Sequence, residues 1–142
     1  MRLVILIAAM AALGACASMD REESYGAKLA DAKVQVDGRN FSIWVHPTDQ
    51  ALLIQRGFGA AMGQAVAQGL TMNAMNPQEP KPVWRRAAEQ ITGPLGCTLT
   101  DVYSLDNRMT WEATFTCPAG TDLRASVMAQ RSELRAGKAI QP

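Results

Sequence analysis

The sequence predicts an α+β domain: an antiparallel sheet of about five or six strands with two helices packed on one face, closed by one disulfide. Three observations predict it. Residues 97–117 alternate apolar and polar side chains between two cysteines, and residues 33–45 alternate around an Asp-Gly pair. Between these runs lie two stretches whose apolar residues recur at helical spacing. Strand runs separated by helices are the pattern of an antiparallel sheet covered on one side.

The first run, residues 33–45, reads as a hairpin because Asp37-Gly38 favours the tight turn that needs positive φ at both central residues. With that loop, Val34 faces Phe41 and Ala32 faces Ile43, so both arms offer an apolar face. His46-Pro47-Thr48-Asp49-Gln50 is a second turn. Residues 51–55 then form a third strand or, if Thr48 caps it, the start of a helix. The strand is preferred, since Gly57 and Gly59 would otherwise sit inside that helix.

From Phe58 the period changes. Phe58, Ala61, Met62, Ala65, Val66, Gly69 and Leu70 form one helical stripe. Within it Gly59, Gly63 and Ala67 recur every four residues, a pattern that lets a helix lie close to its own sheet or to a partner's helix. A loop, TMNAMNPQEPKP, leads to a second helix whose stripe is Val83, Trp84, Ala87, Ala88 and Ile91, ended by Gly93 and Pro94.

In residues 97–117 the odd positions are mostly apolar and the even ones mostly polar, with Asp106-Asn107-Arg108 as the turn. A single register sets Leu105 against Met109, Tyr103 against Trp111, Leu99 against Phe115 and Cys97 against Cys117. Directly opposed side chains approach within about 5 Å, close enough for a disulfide. The same register puts Asp101 on the apolar face, opposite Ala113, and Glu112 on the polar face. Leu123, Ala125, Val127 and Ala129 alternate again, so residues 123–130 read as a further strand. Residues 131–142 read as a polar, frayed or weakly helical tail.

The chain begins MRLVILIAAMAALGAC: a basic start at Arg2, a short apolar run and two small residues before Cys16. The run is too short to cross a bilayer, which needs about 20 apolar residues, and reads as a secretory signal. Leu13-Gly14-Ala15-Cys16 resembles the lipobox of bacterial lipoproteins. The resemblance covers the targeting segment alone, and implies diacylglycerol on the Cys16 thiol, cleavage before Cys16 and acylation of the new amine by a fatty acid such as palmitate. With Ala rather than Asp at residue 17, it further implies location at the outer membrane, facing the periplasm, in a double-membraned bacterium. Ala15-Cys16-Ala17 also fits an ordinary signal cut after Ala17, and an uncleaved anchor is the third possibility. The expected organisation is therefore a signal in residues 1–15, a lipidated N-terminus and polar tether in 16–31, one domain in 32–130, and the tail. Beyond the leader, the layout resembles small envelope lipoproteins of unknown function.

Export gives the cysteine pair a compartment. Thiols that meet oxidising machinery form a bridge more readily than a metal site, so Cys97–Cys117 is expected as a disulfide. No metal site or cofactor is expected: the chain has one histidine, His46, and no C-x-x-C. Met72 and Met75 are too sparse for a copper site.

Loss of the leader removes Arg2, leaving 13 Lys plus Arg against 13 Asp plus Glu, with no basic stripe to bind nucleic acid. Candidate contacts for a ligand or an envelope partner are Asp101, His46, Gly59 and Gly63. Each also has an ordinary structural role: a satisfied carboxylate, a turn histidine, close helix packing. No catalytic constellation is visible. The expected function is a non-catalytic, membrane-anchored binding or structural protein. The alternative is a small envelope enzyme acting on a cell-wall or lipid substrate, through carboxylates that only the fold brings together.

Overall fold

The computed structural model describes residues 20–26, 29–57, 79–105 and 109–142. Five strands form one antiparallel sheet: β1 (Ala32–Val36), β2 (Arg39–Val45), β3 (Ala51–Arg56), β4 (Thr98–Ser104) and β5 (Thr110–Thr116), in the order β1-β2-β3-β5-β4. Helix α1 (Lys81–Thr92) precedes β4, and the short α2 (Leu123–Ala129) and α3 (Arg131–Arg135) follow β5. Among the described residues no helix is long and apolar enough to cross a membrane.

The first hairpin follows its turn chemistry. Asp37 and Gly38 both have positive φ, 51° and 74°, and Val34 pairs with Phe41 and Ala32 with Ile43. The strand alternative also prevails for residues 51–56: β3 lies between β2 and β5, and Ala51, Leu52, Leu53 and Ile54 are all buried because both faces of the sheet are covered there.

On one face, Phe41, Ile43, Leu52, Ile54, Val102, Ala113 and Phe115 meet the buried stripe of α1. Trp84, fully buried, stacks on Trp111 at 5.5 Å and meets Phe41 edge-on at 5.1 Å. Pro82 sits in the first turn, where its missing N–H costs nothing. Gly96 ends the following 3-10 turn at φ 71° and hands the chain to Cys97. The first expected helix, including Gly59 and Gly63, lies outside the described residues, as do Cys16 and the leader.

Three expectations are corrected. Residues 123–130 are not a strand. Asp122 accepts a hydrogen bond from Ala125 N at 3.0 Å and caps α2, whose Leu123 and Val127 enter the core. Positions 123 and 127 belong to an alternating series and to a helical one alike, and the cap with helix-favouring alanines selects the helix. The tail takes the helical of its two readings, in α3, but is packed on the domain rather than loose: Leu134 and Ile140 are buried, and Arg131 pairs with buried Asp31 at 2.8 Å.

The third correction concerns register. Thr98–Thr116 and Leu99–Phe115 pair as expected, but the ladder shifts between Leu99 and Asp101, and from there Val102 opposes Ala113 and Tyr103 opposes Glu112. A bulge adds one residue and turns every later side chain of β4 to the other face. Val102 thereby enters the core, and Asp101, opposite Thr114, is spared burial. It stands on the edge strand, 59% exposed, accepting from Val102 N at 2.7 Å and Lys81 at 3.3 Å. Exposed pairs of this kind stabilise little, so Asp101→Ala should leave the urea midpoint within measurement error of the parent. A clear downward shift would mean that its bond to Val102 N holds the bulge.

Candidate functional site

The second face of the sheet carries a polar cluster that joins the strap of residues 20–26, the 46–50 turn, β4 and β5 through buried groups. Residues 20–26, expected within the tether, open with a helical turn and lie across this face. Tyr25, an aromatic in an otherwise polar stretch, is buried with Ala51 and Leu53, against Trp44 and Leu105. Arg21 reaches Glu112 of β5 with two parallel bonds, Nε to Oε2 at 2.8 Å and Nη2 to Oε1 at 2.7 Å. The Tyr103 hydroxyl donates to the same Oε1 at 3.0 Å, and Arg21 Nη1 bonds Asp49 Oδ2 at 2.8 Å. Glu112, expected on a solvated face, is only 1% exposed. The strap and the reversed Tyr103 together cover it.

His46 is held at the edge of this cluster. Donors face both ring nitrogens, Asp49 N at 2.9 Å from Nδ1 and Arg21 Nη1 at 3.2 Å from Nε2; the shorter bond at Nδ1 assigns the proton of the neutral imidazole to Nε2. Ser24 Oγ lies 3.0 Å from Nε2 and donates its own proton to Arg21 O at 2.6 Å, which makes it the acceptor from the ring. Tyr25 meets the imidazole edge-on at 4.8 Å.

Ser24, His46 and Asp49 thus have the outline of a hydrolase triad, but not its chemistry. Asp49 Oδ2 stands 3.6 Å from Nδ1 while Asp49's own N–H occupies that nitrogen, and Nε2 carries the proton a general base would have to accept. Asp101, on the edge strand with Lys81, lies outside the cluster. In this arrangement the polar groups bind one another.

Burial moves these groups in consistent directions. Desolvation, reinforced by the Arg21 guanidinium, lowers the His46 pKa despite the opposing pull of Asp49. The bond from Arg21 holds the Asp49 carboxyl below its usual range. Desolvation and then Glu112 raise Tyr25, and desolvation and the bond to Glu112 raise Tyr103.

His46 gives the fold a pH dependence whose sign is fixed. Its folded pKa lies below the unfolded value of about 6.5, so the unfolded chain binds more protons as pH falls past 6.5 and stability falls with it. The urea midpoint should be lower at pH 5.5 than at 7.5, and His46→Gln should flatten that difference. A midpoint that rises on acidification would contradict a neutral, desolvated imidazole in the folded protein.

Beside His46 opens a groove of about 390 Å³, lined by the 46–50 turn, Phe115, Cys117 and the 121–124 segment. Arg124 crosses it to donate to Val45 O at 2.9 Å. Below the groove the Cys97–Cys117 bond joins the start of β4 to the end of β5. The residues that sequence reasoning missed are Arg21, Tyr25 and Tyr103; Glu112 reads as a carboxylate on the solvated face, and only its burial was missed. Tyr25 was the available signal, since a lone aromatic in a solvated tether has nothing to cover. No protein-family model, curated protein or solved structure matches this chain.

Proposed function

We propose that this chain is a lipid-anchored protein of a bacterial cell envelope, held at the outer membrane on its periplasmic side by acyl groups on Cys16. Its domain serves a binding or structural role rather than catalysis. The observation that supports this reading best is the Cys97–Cys117 disulfide. Such a bond persists in oxidising compartments, and the leader with its small residues before Cys16 is a sequence that would bring the chain to one. The non-catalytic part draws support from the polar cluster, where Glu112 is engaged by Arg21 and Tyr103 and both nitrogens of His46 are occupied.

The test is the intact mass of the protein extracted from membranes, alkylated before and after reduction. The expected result is a chain beginning at Cys16 with added acyl mass, and two thiols that react only after reduction. Cys16→Ser should leave the acyl mass off and release the protein from the membrane fraction. An unlipidated parent chain with two freely reacting thiols would overturn the reading. Crosslinking in intact cells, followed by identification of attached envelope proteins, then addresses the partner.

A further inference from the structure

Resting on the lipid-anchored reading, we propose that the domain sits directly on the lipid headgroups, with the strap of residues 20–26 and the 46–50 turn as its membrane-facing surface. The argument begins with covalent reach. Arg21 is five chain steps from Cys16, with four residues between them, and a fully extended chain spans at most about 3.6 Å per step, so Arg21 lies within about 18 Å of the acylated cysteine whatever path the chain takes. The headgroup layer occupies roughly 5 to 7 Å of that distance. A domain of this length has a radius of gyration of about 13 Å, and so a diameter near 35 Å. The free tether is about half the width of the body it carries.

That short reach exists only because the strap is fastened. Arg21 is fixed by two bonds to Glu112 and one to Asp49, and Tyr25 is buried against Ala51 and Leu53. Without these contacts the first firmly held residue would be Asp31, whose Oδ2 accepts from Val45 N at 2.9 Å. The free chain would then run from residue 16 to residue 31 and reach about 50 Å, enough to let the domain turn any side to the lipid. The clamp therefore converts a long tether into a short one and sets which pole is lowest.

The surface at that pole has a chemistry of its own. Its exposed residues are Asp20, Glu23, Ser24 and Gly26 of the strap and Pro47, Thr48, Asp49 and Gln50 of the turn. They include acidic groups, and the one arginine of the strap, Arg21, is 29% exposed but tied to Glu112 and Asp49, so attraction to anionic lipid adds little and the acyl chains provide the attachment. Ammonium-bearing phosphatidylethanolamine headgroups are the complementary lipid surface. The β1–β2 hairpin lies at the opposite end of the sheet from the 46–50 turn. It points away from the membrane and is left to partners in the aqueous space.

The test uses the full lipidated chain in vesicles of phosphatidylethanolamine and phosphatidylglycerol that carry a headgroup-linked energy acceptor. A donor dye is attached through a bioorthogonal side chain at Thr48 or at Asn40, both exposed and at opposite ends of β2 and its turn. Transfer from position 48 should exceed that from position 40 several-fold. Inserting ten Gly/Ser residues between Ser18 and Met19 should bring the two signals together. Equal transfer in the parent protein would overturn the proposal, and so would a difference that survives the insertion. Failure of the anchor reading looks different: the protein would lack acyl mass and fail to float with the vesicles, with no transfer from either position.

Discussion

Replacing Arg21 with alanine is expected to cost about 3 kcal/mol of folding stability, the lower end of what is lost when one partner of a buried ion pair is removed. The cause is the carboxylate left behind. Glu112 is 1% exposed and its two oxygens are satisfied by Arg21 and by the Tyr103 hydroxyl, so the variant would keep one bond from Tyr103 and an unpaired buried charge. The arginine side chain is 29% exposed, which lets water enter and keeps the loss from the upper end of the range. Arg21→Met combined with Glu112→Leu should recover most of the loss, because an apolar pair leaves no charge behind. Urea unfolding of all three proteins makes the comparison. A loss below about 1 kcal/mol in the single variant would mean that water reaches Glu112 and that the strap is a loose attachment.

Breaking the disulfide should cost a similar amount. Cys97 and Cys117 are separated by 20 positions, and closing a loop of that size removes denatured-chain entropy worth about 3 kcal/mol. With a urea dependence of about 2 kcal/mol per molar, the midpoint of the Cys97→Ser, Cys117→Ser protein should fall by roughly 1.5 M. The bond spans the two strands at one margin of the sheet, where β4 has β5 as its single strand neighbour. Amide exchange should therefore rise first along β4 in the reduced protein. A midpoint that moves by less than a few tenths of a molar would show that the hairpin already restricts the denatured chain.

Much of this fold could be read from short stretches. The Asp37-Gly38 turn demands positive φ at both residues, which set the register of β1 against β2 without reference to anything distant. Val83, Trp84, Ala87, Ala88 and Ile91 specify one buried helix face by spacing alone, and the helix buries all five. The alternation from 97 to 117 was also legible, and its outer pairs and disulfide followed from it. Its one discordant residue, Asp101, was the trace of the bulge. An acidic side chain on an apolar face was read as a possible contact, whereas the strand inserts a residue and turns it outward.

The polar cluster lay beyond that kind of reading. Arg21 and Glu112 are 91 positions apart, and neither is unusual where it stands in the chain. An arginine beside acidic residues reads as solvated, and a glutamate on the polar face of a strand reads the same way. They become a buried pair because the second face of the sheet also needs a cover, which the strap provides with Tyr25.

By itself, then, the sequence determined the strand periods, the helix face of residues 83–91, the tight turn and the pairing of two thiols, since each depends on residues near one another along the chain or on a strict repeat. The tertiary structure alone decided the bulge in β4, the burial of Glu112 and the clamp at Arg21. Each of these is a choice between local conformations of similar energy, and the balance is tipped by what a distant segment covers or leaves open to water.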